Sequence, residues 1–337
     1  MNRLTWVDNL RGMSVLAVIF LHSTIAVNGN AGHLTAVTSV VNHLLEPVRL
    51  GLMFFVSGLF VESGLQKGLN LFFKNKVKSI LYPFIIWVGI YGGLKLLFNS
   101  VSNNPQSPAN IIVSHLSGGG DITWFLHSLF IFFLVVPLVR RIPFYIVIPV
   151  SLILSYVIPE IPEGSVFSSF DNGHINRAFY LFPFFYLGDL LVRRQMDIPA
   201  VISKASVLIP SLLCFILLSS LNFMMDKNIS WQLLAPLALC SIPLFIFVAL
   251  HTNVRLVHFV GVNSIVFYLS HYLAIQVFAK AVKFTSENVY MNDLKFIAAF
   301  LCALVLPLTI CWMRKRGMMN FLFTLKKPTR KSTALAQ

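Results

Sequence analysis

Apolar residues in this chain neither alternate nor recur on a single helical face. They come in runs of 15 to 21 positions, separated by short polar segments that are mostly basic. The runs lie at Leu10–Val27, Val48–Ser63, Ile80–Phe98, Trp124–Val139, Phe144–Ile158, Ala178–Val192, Val207–Met224, Leu233–Leu250, Gly261–Ala281 and Phe296–Met313. A bilayer core of about 30 Å is crossed by roughly 20 residues of helix. Hydrocarbon offers the backbone no hydrogen-bond partner, so each run is expected to be helical. The pattern predicts an all-α integral membrane protein with about ten transmembrane helices. A single membrane domain is expected over residues 1–316, with a basic cytoplasmic tail at 317–337. No internal repeat or long linker interrupts it.

Composition strengthens this picture. Of 337 residues, 57% are hydrophobic and 11% charged, whereas soluble domains carry about 25% charged residues. A net charge of +14 in a soluble chain would point to nucleic acid. Here the basic residues sit between spans, so no nucleic-acid partner is expected, only membrane lipids. With the N-terminus inside, 19 Lys and Arg fall on the cytoplasmic side and 6 outside. That asymmetry predicts an even span count with both termini in, as in a multi-pass plasma (bacterial inner) membrane protein. The cationic cluster from Arg314 through Lys331 then lies inside. Met1–Val27 resembles a signal peptide, but it lacks a small-x-small cleavage site and contains His22, so it reads as a retained first helix. Cys214, Cys240, Cys302 and Cys311 lie in apolar runs and read as small core residues. No histidine pair has metal-binding spacing, so no metal is expected.

Charged and titratable groups inside spans are expensive and mark function by default. Arg11 and His22 are eleven residues apart, which places them on one helical face and about 16 Å apart along the axis. Asp8, one turn before Arg11, is placed to hold its guanidinium. Taken alone, Arg11 reads as a snorkelling charge and His22 as a buried histidine bonded to a neighbour. The shared face joins them as a candidate pair. His271 follows as a second candidate, with a helix–helix hydrogen bond through Ser270 or Tyr272 an equal reading. Asp189 and Arg193, four apart, read as a local ion pair. Trp87 and Trp124 read as interface anchors. The outer loops Asn99–Asp121 and Pro159–Arg177, the latter with Glu160, Glu163 and Asp171, read as polar lids. The basic segment Gln66–Ser79 has two compatible readings: an interfacial anchor through Phe72 and Phe73, or a cationic mouth that gathers an anionic ligand.

Several of these pieces form an ordered set. Asp8-Asn9-Leu10-Arg11-Gly12 followed by His22 resembles the Arg-x10-His motif of the membrane acyltransferase-3 family. Phe54-Phe55-Val56-Ser57-Gly58 resembles its FF-x-SG segment. Lys76–Pro83 with Trp87 resembles its basic stretch, and Trp124-Phe125-Leu126 its WFL element. Phe185-Tyr186-Leu187-Gly188 and Gly261 through Tyr268-Leu269-Ser270-His271 resemble its later motifs. The resemblance runs from residue 5 to about 315. Two positions depart from it. Thr123 stands where family members often have a histidine before WFL, the nearest histidines being His115 and His127. Arg49 stands in a stretch expected to be apolar. Both departures would tune the acceptor site, and neither removes the Arg11–His22 pair.

The resemblance implies transfer of an acyl group, usually acetyl, from acetyl-CoA or another acyl-CoA to a hydroxyl of a carbohydrate or lipid-linked glycan. His22 would act as general base, since a neutral imidazole suits proton removal from a hydroxyl. An acyl-histidine intermediate is an alternative route. Arg11, with Lys76 and Lys78, would hold the donor phosphates, and His271 is the further catalytic candidate. Ser57, Trp124, Tyr268 and Ser270 are candidate oxyanion donors. A secondary transporter of an anionic or acylated solute is the rival reading; it predicts paired repeats with broken helices.

Overall fold

A computed structural model describes residues 5–29, 33–101, 105–118, 120–159, 172–225, 231–282 and 288–325. Arg3, Glu160, Glu163, Asp171, Lys227, Lys283, Lys326, Lys327, Arg330 and Lys331 lie outside the described residues. Among those described, all regular structure is helical. The long helices are α1 (Thr5–Asn28), α2 (Ala36–Gly58), α3 (Tyr82–Leu97), α4 (Trp124–Val139), α5 (Phe144–Val157), α6 (Asn172–Arg193), α7 (Ala205–Met224), α8 (Ala235–His251), α9 (Ser264–Ala281) and α10 (Val289–Lys315).

Six segments of the described chain are long and apolar enough to cross a bilayer, or seven if α8 and the short helix Arg255–Val262, bent by 115°, form one broken span. The other long helices fall short for physical reasons. α5 has only 14 residues. α6 buries Asn176 and Asp189, and α9 buries Ser270 and His271.

The first helix is the hub, packing against α2, α8, α9, α10 and Arg255–Val262. Two glycine crossings hold the bundle together. A methyl group on Gly12 would overlap the Val257 carbonyl, and one on Gly261 the Asp8 carbonyl. A methyl on Gly58 would overlap the Phe185 carbonyl, and one on Gly188 that of Phe55. Lipid tails are as apolar as leucine, so close backbone packing replaces the hydrophobic drive between such helices. Asn9 adds a polar clasp at the first crossing. Its amide donates to the carbonyls of Ala249 (3.0 Å) and Thr252 (2.8 Å), groups that the end of α8 leaves unsatisfied. The hydroxyls of Ser14 and Ser23 turn back onto the carbonyls of Leu10 and Ile19 on their own helix.

The ion pairing at one end of α6 differs from the expected local pair. Asp189 accepts two hydrogen bonds from Arg140, at 2.8 and 2.5 Å, and the same guanidinium reaches Glu62. Arg193 instead donates to the Arg140 carbonyl and the Tyr186 hydroxyl. A fully buried carboxylate demands a bidentate partner, and a neighbouring helix supplies it better than the next turn does.

The two tryptophans are core residues rather than interface anchors. Trp87 is buried and donates its indole N–H to the Leu322 carbonyl (3.1 Å). Buried Phe323 packs on its ring, and the Tyr82 hydroxyl donates to the Phe321 carbonyl. The chain after α10 thus folds back onto α3. Trp124 stacks on His174, with Arg177 over its face.

Candidate active site

The basic segment preceding α3 forms one end of the site. Leu69–Lys76 is helical and runs into α3 through a π-turn at Val77–Leu81, a distortion that often marks functional positions. Phe72 is buried against Phe73 and Phe133, so it is a core residue and not a membrane dip. Lys76 lies with its ammonium 3.5 Å from the centre of the Phe133 ring. Arg11 sits over Phe60 at 4.9 Å, with the Asp8 carboxylate 3.8 Å away.

These two cations line a cavity of about 380 Å³ between α1, α2, α4 and α9, with Ser57, Leu126 and Tyr268 among its other walls. Its mouth is cationic and its interior apolar, which suits a ligand with an anionic head and an uncharged arm. Lys78 is half-buried but is not among the lining residues.

Tyr268 leads from this cavity to the histidines. Its ring is 6.1 Å from His271. The His271 ring is in turn 5.3 Å from His22, and His22 is 5.1 Å from Tyr272. His271 is fully buried. Its Nδ1 bonds the Phe267 carbonyl at 2.9 Å. A carbonyl only accepts, so that bond places the proton on Nδ1 and leaves Nε2 bare. Nε2 has no hydrogen-bond partner among the described residues. Sequence reasoning treated His271 as secondary, yet its fixed tautomer makes it as well equipped to accept a proton as His22.

Three proposed oxyanion donors are already engaged. Ser57 donates to Met53, Ser270 to Val266 and Tyr268 to Ile122, all carbonyls. Around the histidines, Tyr91 donates to the Leu269 carbonyl at 2.7 Å, which ties α3 to α9. Near the position where Thr123 departs from the family pattern, His115 is buried and its Nε2 meets Asp121 at 3.2 Å. His115 belongs to a short helix, Pro108–Leu116, that packs on α3. The loop read as a polar lid is therefore partly folded structure. Sequence reasoning read Arg49, with Thr123, as a departure from the family pattern that tunes the acceptor site. It is buried in α2, where its guanidinium donates to the Asn42 side-chain oxygen at 3.0 Å.

No curated protein and no solved structure matches the chain. A family model does, described as an acyltransferase domain, over residues 4–313. That match covers the glycine crossings, the cationic cavity and both histidines. The chain belongs to the acyltransferase-3 family and is a membrane acyltransferase.

Proposed function

We propose that the protein transfers an acyl group, acetyl in the simplest case, from a cytosolic acyl-CoA to a hydroxyl of a carbohydrate or lipid-linked glycan. The observation that carries this reading is the continuity from a cationic cavity mouth at Arg11 and Lys76, past Tyr268, to the His271–His22 pair. The donor phosphates sit at the mouth and the thioester arm follows the apolar interior. The acceptor O–H gives its proton to an imidazole nitrogen as its oxygen bonds the thioester carbon. The carbon–sulfur bond then breaks, and the departing thiolate takes up a proton. Lys78 contributes through the surrounding field rather than by contact.

Ten spans with both termini on the cytoplasmic side, in a plasma membrane, fit this layout. They place Arg11, Lys76 and the basic end of α10 together on the donor side. A transporter would need paired broken helices, and no repeat is evident in the sequence.

The test is donor engagement by detergent-purified protein. Radiolabelled acetyl-CoA should bind saturably and be slowly hydrolysed without acceptor. Binding should weaken in Arg11→Ala and hydrolysis should vanish in His22→Ala. Folded wild-type protein that binds no acetyl-CoA would reject the donor assignment.

A further inference from the structure

A second and larger cavity, of about 690 Å³, opens at the same end of the bundle as Arg11. Asn9 of α1, Arg255, His258 and Phe259 of the short helix Arg255–Val262, and Lys315 at the end of α10 are among its walls. Asn9 and Arg11 are two residues apart, about 200° around the helix, so α1 stands between this cavity and the one at Arg11. The two spaces adjoin at Val262, which lines both.

The cavity is built for an anion. Arg255 and Lys315 supply two exposed cations, and no acidic side chain lines it. Among the described residues neither cation is within ion-pair distance of a carboxylate. The helix Arg255–Val262 starts here, and its N-cap residue, Val254, makes no side-chain capping bond. Its first amide N–H groups lack intrahelical partners, and a helix end of this kind attracts phosphate. The opposing field is weakened by Asn9. The carbonyls of Ala249 and Thr252 at the end of α8 would repel an anion, and the Asn9 amide occupies both.

The same walls hold groups that suit a nucleoside. Asn9 is 2% exposed, and its Oδ1 has no hydrogen-bond partner among the described residues; nor has the buried Nδ1 of His258. Unsatisfied buried polar atoms are rare and call for a partner. Phe259 and Val262 add apolar surface for a base.

We infer that this cavity is a nucleotide subsite, and that it takes the 3′-phosphoadenosine end of the acyl-CoA donor while the pyrophosphate lies at Arg11 and Lys76. The 3′-phosphate meets Arg255, Lys315 and the helix N-terminus. The site thereby selects acyl-CoA over an acyl group carried on phosphopantetheine alone. The donor role rests on the acyltransferase reading; nucleotide binding in the cavity does not.

The test has two arms, both on detergent-purified protein at fixed ionic strength. In the first, adenosine 3′,5′-bisphosphate, AMP and inorganic pyrophosphate are titrated by thermal shift into wild type, Arg255→Met and Lys315→Met. Both side chains are exposed, so the variants should melt as wild type does. Wild type should bind the bisphosphate about tenfold more tightly than AMP, the scale of one charge-assisted contact, and more tightly than pyrophosphate. Each variant should lose about tenfold. No bisphosphate binding by folded wild type would overturn the inference, and so would unchanged affinity in both variants. Pyrophosphate binding as tight as that of the bisphosphate would reduce the cavity to a cationic patch and also overturn it.

The second arm follows slow hydrolysis of acetyl-CoA, 3′-dephospho-acetyl-CoA and acetyl-phosphopantetheine without acceptor. In wild type, loss of the 3′-phosphate should raise KM about tenfold with kcat held, and in Arg255→Met that difference should shrink. Equal KM for all three donors would overturn the donor role. Bisphosphate binding without any acetyl-CoA turnover in wild type would keep the nucleotide site and reject the acyltransferase setting.

Discussion

Arg11 and Arg49 are the same residue type on neighbouring helices, and the bundle treats them in opposite ways. Arg11 is partly exposed, has Asp8 beside it and Phe60 beneath it, and opens onto a cavity with a second cation. Arg49 is buried, and among the described residues its guanidinium bonds the Asn42 side-chain oxygen, with exposed Glu46 one turn away. A paired, partly hydrated charge costs little and can meet a polyanion repeatedly. A buried one must be balanced by the groups packed around it. The first is placed to meet a ligand entering from water, while the second acts on the groups packed around it.

The histidine pair between them offers the sharpest break of this comparison, because both ends depend on it. His22→Ala or His271→Ala should lower acetyl transfer by about 10²- to 10⁴-fold, measured as product formed under saturating donor. Donor binding should survive in each. If only one variant loses activity, that residue is the base and the other positions it.

Next in size are the glycine crossings, one on the helix of each arginine. Gly12→Val should destabilise the protein by about 1–3 kcal/mol or prevent folding. It forces α1 away from Arg255–Val262 at the turn that carries Arg11. The melting temperature in detergent reports it. An unshifted melting temperature would mean that the crossing is less tight than the structure places it.

Arg11→Ala and Lys76→Ala should each raise the KM for acetyl-CoA about tenfold, the scale of one charge-assisted contact, with a smaller change in kcat. An unchanged KM in both variants would move the donor phosphates away from this cavity.

The smallest effect is expected at Lys78, which misses the cavity lining. Lys78→Ala should change donor KM by about twofold or less, as a charge acting at a distance through salt-screened surroundings does. A tenfold change would place the donor phosphates across a wider part of the π-turn.

Much of the fold was legible because lipid imposes a harsh rule: apolar runs must be helices. The runs at Val207–Met224 and Trp124–Val139 coincide closely with α7 and α4. The shared face of Arg11 and His22 was legible too, since α1 is continuous from Thr5 to Asn28. Other features were not. Trp87 and Trp124 have an anchor's composition, but the partners that bury them, Phe323 and His174, lie more than 49 residues away. Asp189 had a cation four residues on, yet its partner is Arg140, just past the end of α4.

The sequence by itself determined that this chain is helical and membrane-bound, which residues form its motifs, and which charges the bilayer makes costly. These follow from composition and local periodicity, to which solvent responds directly. Only the tertiary structure decided that Gly12 meets Gly261 and Gly58 meets Gly188, that His271 lies against His22, and that Arg49 is buried and bonded to Asn42. Those outcomes depend on how helices distant in sequence cross. A crossing is set by small side chains on two partners at once, so neither sequence segment specifies it alone.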